Sequence, residues 1–160
     1  MPDPRTLIDY IYSDWNKERI RCDYEKYRIY NGKVRETIRE AIAKEFVLPE
    51  TVQELNKRII PINITQKIVN KLARLYIQPA MREPVTEDES DMEALDELVE
   101  VTQIDQVSKE VNRYFKLTKS AAYEPYLDRD GKPKIRALPS HTFTQYSDDP
   151  IEPDRPTYTI

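Results

Sequence analysis

Nucleophilic or acid–base chemistry in this 160-residue chain would have to run through very few side chains. Cys22 is the single cysteine and His141 the single histidine. A thiolate nucleophile needs a base within hydrogen-bond reach. These two residues stand far apart in the sequence. Cys22 sits in a helical pattern between Arg21 and Asp23, and His141 follows Pro139-Ser140 in a turn between strand-like runs. They read as a small half-buried filler and a surface turn residue. A lone cysteine forms no internal disulfide, and with one histidine it builds no Cys/His zinc cluster. The carboxylate pair Asp148-Asp149 stands beside Pro150 in a loop and reads as solvated. No catalytic, cofactor or metal site is expected.

A nucleotide-hydrolysing engine is not expected, on other grounds. The chain holds two glycines, Gly32 and Gly131, against an average share of ~7%. Loops that cradle phosphates need several glycines where backbone approaches an anion closely. What remains is charge. Lys67, Lys71 and Arg74 recur at helical spacing and are the candidate interaction residues. Between Glu87 and Glu100 the chain carries Glu87, Asp88, Glu89, Asp91, Glu93, Asp96, Glu97 and Glu100, with no basic residue. The basic stripe reads first as a solvated face or as the partner of an acidic one, and second as a nucleic-acid contact. The acidic helix is a partner by opposite charge, within a subunit or across an interface.

Composition points the same way. Charged residues make up 34% and hydrophobic residues 39%, below the ~45–50% apolar share of an ordinary globule. The mean hydropathy is -0.76. Eleven tyrosines, three phenylalanines and one tryptophan argue against simple disorder and suit a subunit that buries surface against neighbours. The N-terminus lacks a basic start followed by an apolar run, and no stretch approaches the ~20 apolar residues of a membrane span. A soluble protein is expected, its lone thiol compatible with a reducing cytoplasm.

These residues must be held by helices first and strands after. The pattern predicts one long helix over residues 3–30, capped by Asp3 and stopped by Asn31-Gly32, with Ile8, Ile11, Trp15 and Cys22 near one face. A second is predicted over 33–46 on Val34, Ile38, Ile42 and Phe46, and a short segment with Val52 and Leu55 follows Pro49. The clearest helix runs from Asn63 to Pro79. Asn63 and Gln66 make a capping-box-like start, and Ile64, Ile68, Leu72 and Leu75 form an apolar stripe flanked by Val69, Ala73 and Tyr76. An acidic helix near 91–101 (Met92, Leu95, Val99 inward) and another over 104–117 (Ile104, Val107, Val111, Phe115 at core spacing) complete the helical part. Residues 1–118 are thus helical. Residues 119–160 carry a hairpin around Asp130-Gly131, with Pro125 marking an edge or bulge, then "TFTQY", an acidic proline-rich loop and "TYTI". The expected fold class is α+β, with a small mixed or antiparallel sheet of about four strands. The terminal strand stops abruptly, and an unpaired edge needs a partner. The expectation is that further sequence completes its sheet.

Two stretches, "RIIPINITQKIVNKLARLYIQPAMRE" and "KLTKSAAYEPYLDRDGKPKIRALPSHTFTQYSDDPIEPDRPTYTI", together resemble phage portal proteins, the head-to-tail connectors. The opening "WNKERIRCDYEKYRIYNG" fits the same pattern. The resemblance covers most of the chain and is better over 58–160 than over 33–57. It rests on features of fold, not of chemistry. It implies the N-terminal wing of a subunit that forms a ring, a dodecamer in that family, at one capsid vertex in the virion, after assembly in the host cytoplasm. Implied partners are other portal subunits, capsid, packaging motor and tail-adaptor proteins, with double-stranded DNA passing through and not tightly bound. The stem, clip and crown of that family have no counterpart in these residues. The competing reading is a standalone helix-rich DNA-binding or regulatory module using Lys17, Arg19, Arg21, Lys26 and Arg28. Against it, Glu18, Asp23 and Glu25 are interleaved and the chain is net -4, whereas tight duplex binding draws on phosphate neutralisation.

Overall fold

The computed structural model describes residues 3–76, 80–85, 89–147 and 158–160. Helix α1 (Pro4–Ile11) starts on Asp3, whose carboxylate accepts the Arg5 N–H. The predicted helix over 3–30 is two helices, because Ser13 breaks it. Ser13 is extended, and its hydroxyl accepts from the Asn16 N–H at 3.3 Å and donates to Tyr10 O at 2.8 Å, which opens α2 (Asp14–Tyr30). A Schellman pair ends α2: the Gly32 N–H bonds Ile29 O at 3.1 Å and the Lys33 N–H bonds Arg28 O at 2.9 Å. Gly32 supplies the positive φ of 89° that this closure requires.

Helices α3 (Val34–Glu45) and α4 (Pro49–Lys57) follow, so the Val52/Leu55 segment is helical. Helix α5 (Ile64–Leu72) runs into a 3-10 turn, Ala73–Tyr76. Asn63 serves both of its neighbours. Its Oδ1 accepts the Gln66 N–H, and its Nδ2 donates to Ile29 O at 2.9 Å and Tyr30 O at 3.2 Å, satisfying carbonyls at the end of α2. The predicted exit at Pro79 lies outside the described residues. Helix α6 (Glu89–Thr102) and helix α7 (Ile104–Thr118) meet at Gln103, and α7 ends on Lys119. Both joints have positive φ, 51° and 65°. Lys119 donates its N–H to Phe115 O at 2.8 Å in a conformation that favours glycine, so Lys119→Gly is expected to raise stability by about 0.5–1 kcal/mol in urea denaturation.

Strand β1 (Ala121–Leu127) pairs antiparallel with β2 (Pro133–Pro139), with Tyr123 opposite Ala137 and Pro125 opposite Ile135. Its turn is closed by Asp128, whose Oδ1 accepts the N–H groups of Asp130 and Lys132 at 2.9 Å, with Gly131 at φ 75°. Pro125 costs no ladder partner in a pair where each strand is an edge. A 3-10 turn, Ser140–Thr142, then diverts the chain onto α2. Strands β3 (Gln145–Tyr146) and β4 (Tyr158–Thr159) therefore form a second antiparallel pair. The architecture is α+β with its helices first, but the strands make two separate ribbons and not one four-stranded sheet. Nor is the terminal strand unpaired: it joins β3, and Thr144 and Ile160 exchange both backbone bonds at 2.7 and 2.9 Å.

The hairpin lies on α7, which also contacts α2 and α5. Among the described residues the buried hydrophobics are Tyr30, Val69, Tyr114 and Phe143, while Asn16, Asp23, Thr102, Ser108, Ser140 and Thr144 are buried polar groups. The predicted inner faces hold in part: Ile11, Cys22, Leu95, Val99, Ile104, Val107 and Val111 are half-buried. Ile8, Trp15, Met92 and Phe115 are 47–62% exposed, and α7 buries Ser108 and Tyr114 instead.

Candidate functional site

The inner face of α2 is polar, a pattern that a search for apolar periodicity passes over. Asn16, Arg19, Asp23, Tyr27 and Tyr30 recur at spacings of three and four, which places them on one side of the helix. Arg19 spreads its guanidinium across the turn after β2. It donates to Ser140 O and Phe143 O at 3.0 Å each, and to Asn16 Oδ1 at 3.0 and 3.2 Å. The Ser140 hydroxyl donates to Asp23, and Asn16 Nδ2 donates to Ile11 O and to Thr144 Oγ1. Lys26 closes on the other Asp23 oxygen at 2.9 Å. Asn16 and Ser140 are fully buried. This network is what fastens the segment 140–144 to the helical part.

The same turn brings Asp23, Ser140 and His141 together, the residue types of acyl transfer. The arrangement is wrong for it. Ser140 Oγ is held by Asp23 and Arg19 with no exposed face for a substrate, and no hydrogen bond joins His141 to either residue among the described ones. His141 is not a surface turn residue. Its ring is half-buried, packing on Tyr27 at 4.6 Å and Tyr24 at 5.2 Å between centroids, and its Nδ1 is buried without a partner. Burial pushes its pKa down, with Asp23 opposing in part. The folded chain therefore binds this proton less readily than the unfolded one, so stability is full above the ordinary histidine range. It falls as pH drops below about 6.5 toward the lower folded value. His141→Phe is expected to flatten that limb of a stability–pH curve.

Cys22 is half-buried, as its pattern suggests. Its thiol donates to Glu18 Oε1 at 3.4 Å, and that bond, then burial, raises its pKa and keeps it protonated. Among the described residues no group of three or more His, Cys, Asp or Glu side chains has an arrangement fit to hold a metal ion. Asp148-Asp149 lie outside the described residues. An apolar groove of about 410 Å³ opens between α6 and the hairpin, lined by Leu95, Leu98, Val99, Ile104, Pro125 and Ile135. The cations beside it are engaged, Arg82 with Asp105 at 2.8 Å and Lys134 with Val101 O at 2.8 Å.

The candidate interaction residues lie on α5 and the turn after it. Lys67, Lys71 and Arg74 are exposed, and no ion pair reaches them among the described residues. The predicted apolar stripe beside them does not face the core. Ile64, Ile68 and Leu72 are 56, 52 and 53% exposed. Val69 is the residue that packs, with Thr65 and Ala73 half-buried on its side, while Asn70 accepts from the Tyr30 hydroxyl at 2.9 Å. The side chain of Leu75 lies outside the described residues. Ile60 and Ile62, just ahead of the helix, are 81 and 59% exposed and extend the apolar surface. The acidic helix α6 packs on β2 and α7, and no ion pair links it to the basic stripe among the described residues.

No helix among the described residues is long and apolar enough to cross a membrane. No family model, no curated protein and no solved structure matches this chain.

Proposed function

We propose that the chain is a non-enzymatic structural subunit, all or part of one, of the kind phage portal proteins represent. In this reading copies of it surround a passage for double-stranded DNA at a capsid vertex, alongside capsid, packaging motor and tail-adaptor proteins. It works by presenting surface, not by turning over a substrate. The observation that carries this is the uncovered surface. Among the described residues Val47, Leu48, Ile60 and Ile62 are 94, 68, 81 and 59% exposed, and Ile64, Ile68 and Leu72 are more than half exposed. The Phe46-Val47-Leu48 stretch and the apolar side chains between Ile60 and Leu72 mark interaction surfaces. A net charge of -4 suits a wall that DNA passes without being gripped.

The DNA-binding alternative relies on the cations of α2, and four of the five are already engaged; Lys17, over the Tyr12 ring at 5.9 Å, is the exception among the described residues. Arg19 belongs to the buried network. Arg21 pairs with Glu18 at 2.6 Å and Glu25 at 3.2 Å, Lys26 with Asp23, and Arg28 with Glu40 at 2.7 Å. The test is electron microscopy of the purified chain beside a gel shift with random duplex DNA at low salt. Closed rings with an axial opening and weak DNA retention support the portal-like reading. A monomer that retains duplex tightly would replace it with the alternative.

A further inference from the structure

We infer that the basic face of α5 docks on the acidic face of α6 from a second copy of this chain, in a head-to-tail contact. The inference rests on the reading of the chain as an assembly subunit and names the surfaces that join. Lys67, Lys71 and Arg74 follow a spacing of four and then three residues. Glu93, Glu97 and Glu100 on α6 repeat it in one direction, and Glu100, Asp96 and Glu93 repeat it in the other. The cations run along α5 into the 3-10 turn Ala73–Tyr76 and the carboxylates along α6, about 10 Å in each case, so three cations meet three carboxylates in either orientation.

All of these side chains are exposed, and no ion pair joins the two sets within one copy. The apolar borders match as well. Ile68 and Leu72 flank the cations and Leu98 flanks the carboxylates, 52, 53 and 47% exposed. Charge then fixes the register and apolar burial supplies the affinity. The two patches sit on different elements, so the contact is heterologous. It closes a ring if the rotation closes and otherwise builds a filament.

Reciprocal charge reversal, read by sedimentation over a range of concentrations, tests this. One variant carries Lys67→Glu, Lys71→Glu and Arg74→Glu; the other carries Glu93→Lys, Asp96→Lys, Glu97→Lys and Glu100→Lys. Each alone faces like charge with like, and its association is expected to weaken by more than about a hundredfold. The mixture of the two, and a chain carrying both sets, are expected to associate again. Those rescues exclude misfolding as the cause of the losses. Wild-type oligomers that ignore both reversals, or variants that mixing does not rescue, overturn the inference and leave the assembly reading intact. A wild-type chain that stays monomeric at every concentration overturns both.

Discussion

Arg19→Ala is expected to lower the unfolding free energy by about 3–4 kcal/mol, a large part of a typical domain's stability. The reason is what the guanidinium leaves behind. Ser140 O, Phe143 O and Asn16 Oδ1 each lose a charged donor, and buried Asp23 loses a cation 3.7 Å away. The Arg19 side chain is only 24% exposed, so water replaces these bonds incompletely. Arg19→Lys is expected to recover a minor part, because one ammonium lacks the planar fork that reaches three acceptors at once. Urea denaturation of the three chains measures this. Equal stability of Arg19→Ala and wild type would show that segment 140–144 is held by something other than this network.

The second large effect separates packing from association on a single helix. Ile64→Gln with Ile68→Gln is expected to weaken self-association by about a hundredfold, because both flank the cations of α5 and their apolar burial supplies affinity to the contact. The fold should lose no more than about 2 kcal/mol, since each isoleucine is already half-exposed in the single chain. Val69→Ala, one residue further, is expected to do the reverse. Val69 is 5% exposed, and its truncation costs the fold about 1–2 kcal/mol while leaving the association surface in place. Sedimentation and denaturation on the same samples give both numbers.

The chain's punctuation was readable because it is chemical. Gly32 and Gly131 supply the positive φ that ends α2 and turns the hairpin, and Asn63 Oδ1 accepts the Gln66 N–H that starts α5; Asp128, whose carboxylate closes the hairpin turn, carried no such flag. The break at Ser13 was missed because the apolar spacing of Ile8, Ile11 and Trp15 runs straight across it. The signal was Ser13-Asp14, a capping serine followed by an acid at a helix start. Which face a helix buries was harder to read. Periodicity found the stripe on α5 but not its destination, since amphipathicity reports two unlike faces and not which one meets the rest of the chain. On α2 the buried face is polar, so hydropathy pointed away from it. The strands were found, but Ser140–Thr142 splits them into two ribbons by turning back onto α2, a contact between residues more than a hundred positions apart.

Most directly at stake is whether one copy is a finished globule or a part that needs neighbours. Light scattering of the purified chain from low to high micromolar concentration measures its molar mass. The expected mass climbs with concentration to a fixed multiple of 19.0 kDa. A constant 19.0 kDa across the whole range, with the apolar face of α5 still open to water, would contradict it.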